Sequence, residues 1–216
     1  IFVDNTASAE VAETYNTYLG NSISVVTCNK IACSSAYENY SELKRLAHEY
    51  NAPFLFETNV GAGLPILDTL KHLIASGDKV LKIQAVLSGS LNFVFNNFTD
   101  KTTFHDVVKQ AQEKGFTEPD PKIDLSGVDV MRKILILARE SGHVLEIDDI
   151  TNNSFLPKES LATKNNSDFF ASLKKNEAAF QKLYSAAVVA DSKLKYVAQF
   201  EGGKASVGLQ HIPKGH

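Results

Sequence analysis

Three short apolar runs, Ile1 to Val3, Ile23 to Val26 and Phe54 to Phe56, punctuate residues 1–60, and stretches of helical spacing fill the gaps between them. The first gap reads as a helix over Ala7 to Leu19 closed by Gly20. The second reads as a helix over Ser35 to Tyr50, with Tyr40, Leu43, Leu46 and Ala47 on one face. Strands this short, separated by whole helices, cannot pair as hairpins. The β-α-β-α-β order favours parallel strands joined by right-handed crossovers. In such sheets ligands gather at the carboxyl ends of the strands, here Asp4 to Ala7, Thr27 to Lys30 and Glu57 to Gly63. The G-x-G-x-x-G loop that lets a backbone approach a pyrophosphate does not occur in these residues.

After Gly63 the pattern changes. A helix over Leu64 to Ser76 leads to a strand over Val80 to Leu87 and then to Ser-Gly-Ser at Ser88 to Ser90. Helices follow over Thr103 to Lys114, Ser126 to Ser141 and Asp168 to Asp191, the last with a break near Asn176. Strands over Leu194 to Phe200 and Ala205 to Leu209 flank a four-residue hairpin loop, Glu201 to Lys204, whose glycines can take positive φ. Thr151 to Ser167, rich in Asn, Ser, Thr and Lys, reads as a long surface loop. The expected fold is therefore α/β: a partial Rossmann-like parallel sheet followed by an α+β domain with a mixed sheet.

Composition narrows the function. With 216 residues, 44% hydrophobic and 22% charged, the chain can bury a substantial core. A net charge of -3 and a pI near 6.1 leave no electrostatic footprint for nucleic acid. No apolar run approaches the roughly 18 residues of a membrane-spanning helix, so no membrane partner and a cytoplasmic location are expected. Cys28 and Cys33 lack a second ligand pair and read as idle thiols rather than a zinc site. The apolar start at Ile1, with no initiator methionine, is expected to be a cut within something longer.

Chemistry concentrates between Glu118 and Lys133, where four acids and three bases share sixteen positions and two prolines stiffen the approach to an apolar helix. Ser126 is placed to cap that helix, with Asp129 at its third position. Asp129 and Lys133 stand four apart, on one face. Two readings stay open on spacing alone. The pair is either a capped ion pair on a solvated helix, or, because Val128, Ile134, Leu135, Leu137 and Ala138 make the helix largely apolar, a desolvated lysine beside carboxylates and a candidate acid or base. Lys30 likewise reads either as a solvent-facing loop lysine or as a functional one. The six histidines, His48, His72, His105, His143, His211 and His216, lie apart and receive no role. Ser88-Gly89-Ser90 lacks the outer glycines of a nucleophile elbow.

The string from Gly115 to Lys133, G-F-T-E-P-D-P-K-I-D-L-S-G-V-D-V-M-R-K, resembles the signature of homoserine dehydrogenases. V-D-N-T at Val3 to Thr6, T-C-N-K at Thr27 to Lys30, E-T-N-V-G-A-G-L-P at Glu57 to Pro65 and S-G-S-L-N-F at Ser88 to Phe93 match further blocks of that family in order. The resemblance implies NAD(P)-dependent interconversion of L-homoserine and L-aspartate 4-semialdehyde, a step toward threonine and methionine. It implies that Glu118, Asp124 and Asp129 bind substrate, that Lys133 donates the proton, and that Lys30 is also catalytic and near the nicotinamide. Thr6 and Gly115 are then cofactor contacts. Glu57 and the carbonyls of Val60, Ala62 and Leu64 are implied to hold a monovalent cation, usually sodium, and a homodimer is expected.

On the same basis residues 1–60 correspond to the C-terminal part of an NAD(P)-binding domain. Residues 61–216 correspond to the substrate-binding, catalytic and dimerisation domain. The absent glycine-rich loop and a further segment expected beyond His216 imply a truncated catalytic fragment with little turnover of its own, compatible with excision from a bifunctional aspartokinase fusion. Two other readings of the residues are a non-catalytic folding or dimerisation fragment, and an oxidoreductase of similar architecture acting on another semialdehyde.

Overall fold

The computed structural model describes residues 1–215; His216 lies outside the described residues. The elements follow in the order β1 (Phe2–Asp4), α1 (Ala9–Ala12), α2 (Tyr15–Gly20), β2 (Val25–Thr27), α3 (Ile31–Ser34), α4 (Tyr37–Glu49), β3 (Phe54–Leu55), α5 (Ile66–Ala75), β4 (Lys82–Ala85) and α6 (Gly89–Asn97). Then come α7 (Phe104–Glu113), α8 (Pro121–Leu125), α9 (Val128–Glu140), β5 (Thr151–Asn153), α10 (Lys158–Leu161), α11 (Asn166–Lys175), α12 (Glu177–Val189), β6 (Ser192–Glu201) and β7 (Lys204–Pro213). The chain divides into two compact units. One comprises 1–83, 131–150 and 200–205; the other comprises 84–130, 151–199 and the described residues from 206 onward.

The first unit holds a parallel sheet in the order β1-β2-β3, with Asp4 opposite Thr27 and Val25 opposite Phe54. The expected β-α-β-α-β run is present with its helices divided. The segment read as one helix over Ala7 to Leu19 is α1 and α2, interrupted where the Thr14 hydroxyl donates to the carbonyl of Val11 (2.7 Å) instead of continuing the ladder. Likewise α3 precedes α4, because Ser35 is extended. Tyr15, Leu19, Val25, Leu43, Phe54 and Phe56 are buried, and Tyr15 meets Phe54 edge to face at 5.9 Å.

The apolar stretch Ile134 to Ala138 of α9 is also buried in this unit. The two charged residues that follow are buried and paired. Arg139 donates to the carbonyls of Leu145 and Cys33 and to Glu146, while Glu140 accepts from Tyr40 and Lys44. Such pairing offsets the desolvation that an isolated buried charge would incur.

The four-stranded sheet has the order β4-β6-β7-β5 and β5 runs parallel to β7, while the turn joining β6 to β7 makes that pair antiparallel. The mixed sheet expected from the sequence is therefore present. Its hairpin is tighter than the expected four-residue loop: β6 runs to Glu201 and β7 begins at Lys204, leaving Gly202 (φ +57°) and Gly203 (φ +78°) as a two-residue turn.

In the second unit an aromatic cluster joins the helices, with Phe104 stacked on Phe180 at 4.1 Å and edge-on to Phe98 at 5.2 Å. The break predicted near Asn176 separates α11 from α12. Its side chain donates to the carbonyl of Ser172 (2.9 Å) and to Glu159 (2.8 Å). The segment Thr151 to Ser167 is not one long loop; it contains β5 and α10. The Tyr196 hydroxyl meets Asn152 Oδ1 at 3.1 Å, and Gly208 lets the β7 backbone approach β5, where a Cβ would stand 2.8 Å from Asn153.

Candidate functional site

In the first unit the carboxyl ends of the strands carry a buried polar cluster. Asp4, the last residue of β1 and 2% exposed, accepts from the backbone N–H of Thr6 (2.7 Å), the Tyr15 hydroxyl (2.5 Å) and Asn29 Nδ2 (3.1 Å). Burial pushes its carboxyl up, and the hydrogen bonds from Tyr15, Thr6 and Asn29 outweigh that, so its pKa lies below the ordinary aspartate value. Burial and the Asp4 carboxylate raise the Tyr15 phenol in turn.

Thr6 itself is exposed, its hydroxyl accepting from the N–H of Ser8 (3.1 Å). Lys30, half-buried, sits immediately before α3, and its carbonyl accepts from the Ser34 N–H and hydroxyl. Lys133 is half-buried on the part of α9 that belongs to this same unit.

The third loop is built around Glu57. Its two carboxylate oxygens accept from the N–H groups of Leu67 and Asp68, each at 2.8 Å, and so cap the N-terminus of α5. The backbone then turns through left-handed conformations at Gly61 (φ +84°) and Ala62 (φ +53°), and a Cβ at Gly61 would meet Ile66 at 2.4 Å. Val60 is buried, whereas Ala62 and Leu64 are exposed.

This set fits a hard, weakly charged cation: one carboxylate whose oxygens each keep a second lone pair beyond the helix-capping bond, together with carbonyls in a tightly turned loop. It does not resemble a transition-metal site. Among the described residues no group of three His, Cys, Asp or Glu side chains is gathered to hold a metal.

The second unit carries the acids. Asp124, half-buried on α8, accepts from the Ser90 hydroxyl (3.0 Å) through one oxygen and from the N–H of Glu118 (2.9 Å) through the other. Ser90 in turn lies 3.0 Å from Ser88, which caps α6 by accepting from the Leu91 N–H. Glu118 has an exposed side chain on a loop whose Pro119 carbonyl is held by Gln112 (2.9 Å) and Asn166 (2.7 Å). Gly115 is exposed with φ +72°, and the next residue, Phe116, stacks on Phe93 at 4.6 Å. Asp129 is half-buried in the first turn of α9.

The structure thus brings Glu118, Asp124, Asp129 and Gly115 into one unit and Thr6, Lys30, Lys133, Glu57, Val60, Ala62 and Leu64 into the other. One expectation needs correcting. Ser126 stands at the C-terminus of α8, and α9 starts only at Val128. The Ser126 hydroxyl donates to Ile123 and accepts from Val128, and Gly127, with φ +79°, lies between the helices. The intervening glycine is required, since a Cβ there would fall 2.0 Å from the Tyr196 hydroxyl.

Ser90, Asp4 and Asn29 are not among the site residues expected from the sequence, although they lie inside the S-G-S-L-N-F, V-D-N-T and T-C-N-K blocks; the partners of Asp4 and Asn29 come together only through strand pairing.

Residues 65–216 match the family model described as homoserine dehydrogenase. A bifunctional aspartokinase/homoserine dehydrogenase from Haemophilus influenzae is 41% identical over 209 residues, covering 97% of this chain and 26% of its own length. A crystal structure of a protein of unknown function from Candida auris superposes with a TM-score of 0.92 at 35% identity, over 99% of this chain and 62% of its own. A hyperthermophilic archaeal homoserine dehydrogenase in complex with NADPH gives a TM-score of 0.73 at 28% identity, over 99% of this chain and 56% of its own. The chain thus spans about a quarter of the bifunctional relative.

Proposed function

The chain belongs to the homoserine dehydrogenase family, and from that premise we propose that it serves the NAD(P)-dependent interconversion of L-homoserine and L-aspartate 4-semialdehyde. The observation that carries the reading is the pair on α9: Asp129 and Lys133 are one turn apart and both half-buried. The archaeal neighbour is an NADPH complex; a nicotinamide dinucleotide would supply or remove the hydride here, and we assign Thr6, Lys30 and Gly115 to hold it. Reduction of the aldehyde leaves charge on its oxygen. Lys133 hands that oxygen a proton, and in the oxidative direction it takes the proton from the hydroxyl.

Glu118 and Asp129 bind the substrate's ammonium and hydroxyl ends. Asp124 joins them in binding the substrate, and its bonds from the Ser90 hydroxyl and the Glu118 N–H also orient the loop that carries Glu118. Lys30 adds positive charge near the reacting carbon. Residues 1–60 are assigned to the cofactor-binding domain and 61–216 to the substrate, catalytic and dimerisation domain, with a homodimer as the working assembly. Glu57 and the carbonyls of Val60, Ala62 and Leu64 hold a sodium ion that braces the loop before α5 and takes no part in the proton transfer. The product would lie on the route to threonine and methionine.

The test is homoserine-dependent reduction of NADP by the full-length protein, wild type against Lys133→Ala. Loss of about 100-fold or more in kcat in a folded variant is expected for a missing proton carrier. Unchanged kcat would remove Lys133 from the mechanism, and no homoserine-dependent rate in the wild type would remove the reaction itself.

A further inference from the structure

We propose that Asp4 is a positioning residue: its buried carboxylate fixes the two strand ends that present Thr6 and Lys30. The inference rests on the catalytic reading of Lys30 given above. Four polar side chains meet at the ends of β1 and β2, namely Asp4, Tyr15, Thr27 and Asn29, and none of them is more than 3% exposed. A core this deep would be cheaper to build from apolar residues, since a buried carboxylate must recover its lost hydration through hydrogen bonds. What the carboxylate holds is therefore informative. One oxygen takes the backbone N–H of Thr6, and the other takes the Asn29 side chain.

Asn29, directly before Lys30, is fixed through every one of its polar groups. Its N–H donates to Thr27 Oγ1 (2.8 Å), its Nδ2 also donates to the Ser8 carbonyl (2.9 Å), its Oδ1 accepts from the Ile31 N–H (3.0 Å), and its carbonyl accepts from Asn59 Nδ2 (3.4 Å). The Asn59 side chain is fully buried and belongs to the Glu57 to Pro65 loop, so Asn29 ties together all three strand-end loops. Tyr15, bonded to both Asp4 and Thr27, locks the pair opposite each other in the sheet. Because Lys30 follows Asn29 with no intervening residue, any rotation of Asn29 redirects the lysine. A shift of about 1 Å at a reacting group can cost on the order of 100-fold in rate.

The test uses Asp4→Asn in the full-length protein, which keeps the shape of the side chain but turns one acceptor into a donor facing other donors. Expected is a fall in kcat of about 10- to 100-fold with homoserine KM changed by less than about threefold. The rate of reductive methylation of Lys30, read by mass spectrometry against the exposed Lys204, should change as well. A merely structural residue would lower the melting temperature and leave the kcat of the folded fraction and the Lys30 labelling unaltered; that result overturns the proposal.

Should Asp4→Asn fail to fold, Tyr15→Phe removes one donor to Asp4 while keeping the ring, and the same two readouts decide, a smaller change of the same sign supporting the proposal and none overturning it. The labelling needs no turnover. If the wild type does not oxidise homoserine, or Lys30→Ala retains full activity, the functional reading falls, and the labelling still decides whether Asp4 positions Lys30.

Discussion

At the scale of single residues, Asp4 has a consequence for stability that is separate from catalysis. Its pKa in the folded chain lies below the value of 3.8 for a free aspartate, because the bonds from Tyr15, Thr6 and Asn29 outweigh the desolvation that pushes it up. A lowered carboxyl contributes stability that is fully present above its unfolded pKa and is lost as pH falls through the folded one. Denaturant unfolding followed from neutral pH downward should thus show Asp4 adding nothing to the slope above about pH 5 and a growing loss of stability below about pH 4. Asp4→Asn should be less stable at neutral pH, and the gap from wild type should narrow in acid; a constant gap would contradict the linkage. None of this was legible in the sequence, where Asp4 is one acid at the end of an apolar run. Its partners at positions 15 and 29 come together only once β1 and β2 pair with Asp4 opposite Thr27. Lys30, Glu118, Asp124, Asp129 and Lys133, the residues proposed for the site, are by contrast readable from contiguous motifs. What the structure adds is that Asp124 accepts from both the Ser90 hydroxyl and the Glu118 N–H.

At the scale of elements, periodicity found the long amphipathic helices and missed the short or polar ones. The helix α7 and the α11–α12 break at Asn176 are readable in the sequence, whereas α8 is five residues long and its single proline, Pro121, reads with Pro119 as stiffening the approach to α9. Pro121 in fact opens that helix, and Asp120 caps it by accepting from the Lys122 N–H. The helix α6 was hidden by its asparagines, although Ser88 stood in the capping position, and β5 has three exposed polar side chains with no alternation to detect. Two caps then allow a contrast. Thr103 caps α7 by accepting from the Asp106 N–H (3.0 Å) and touches no assigned site residue, whereas Ser88 caps α6 and also meets Ser90, which holds Asp124. Thr103→Ala and Ser88→Ala should each lower stability by about 1 kcal/mol in urea unfolding. Only Ser88→Ala should also raise the KM for homoserine; equal kinetics for the two would mean that the Ser88–Ser90–Asp124 chain has no part in holding the substrate loop.

At the scale of the whole molecule, each compact unit is assembled from three separate stretches of chain, and this interleaving makes a definite demand on folding. Residues 1–83 contain all three strands of the described parallel sheet and five α-helices, and a linear reading would take them as an independent domain. The unit they belong to also needs 131–150. Arg139 from that stretch donates to the Cys33 carbonyl (2.9 Å) and lies over the rings of Tyr37 and Tyr40, at 5.5 and 5.3 Å. Glu140 accepts from Lys44 (3.0 Å) and from the Tyr40 hydroxyl, and the apolar run Ile134 to Ala138 belongs to the same core. Without those residues the Tyr40 hydroxyl and the Cys33 carbonyl lose the partners that α9 supplies, and the apolar surface that Ile134 to Ala138 help cover is opened to water. Each lost hydrogen bond removes about 0.5–1.5 kcal/mol and each uncovered large apolar side chain about 1.5–3 kcal/mol, against a total stability of only about 5–15 kcal/mol for an ordinary domain. A polypeptide of residues 1–83 is therefore expected to show no cooperative urea transition and to bind a hydrophobic dye, while residues 1–216 unfold cooperatively. A sharp transition in the shorter polypeptide, at a midpoint near that of the longer one, would show that the first 83 residues close their core without α9.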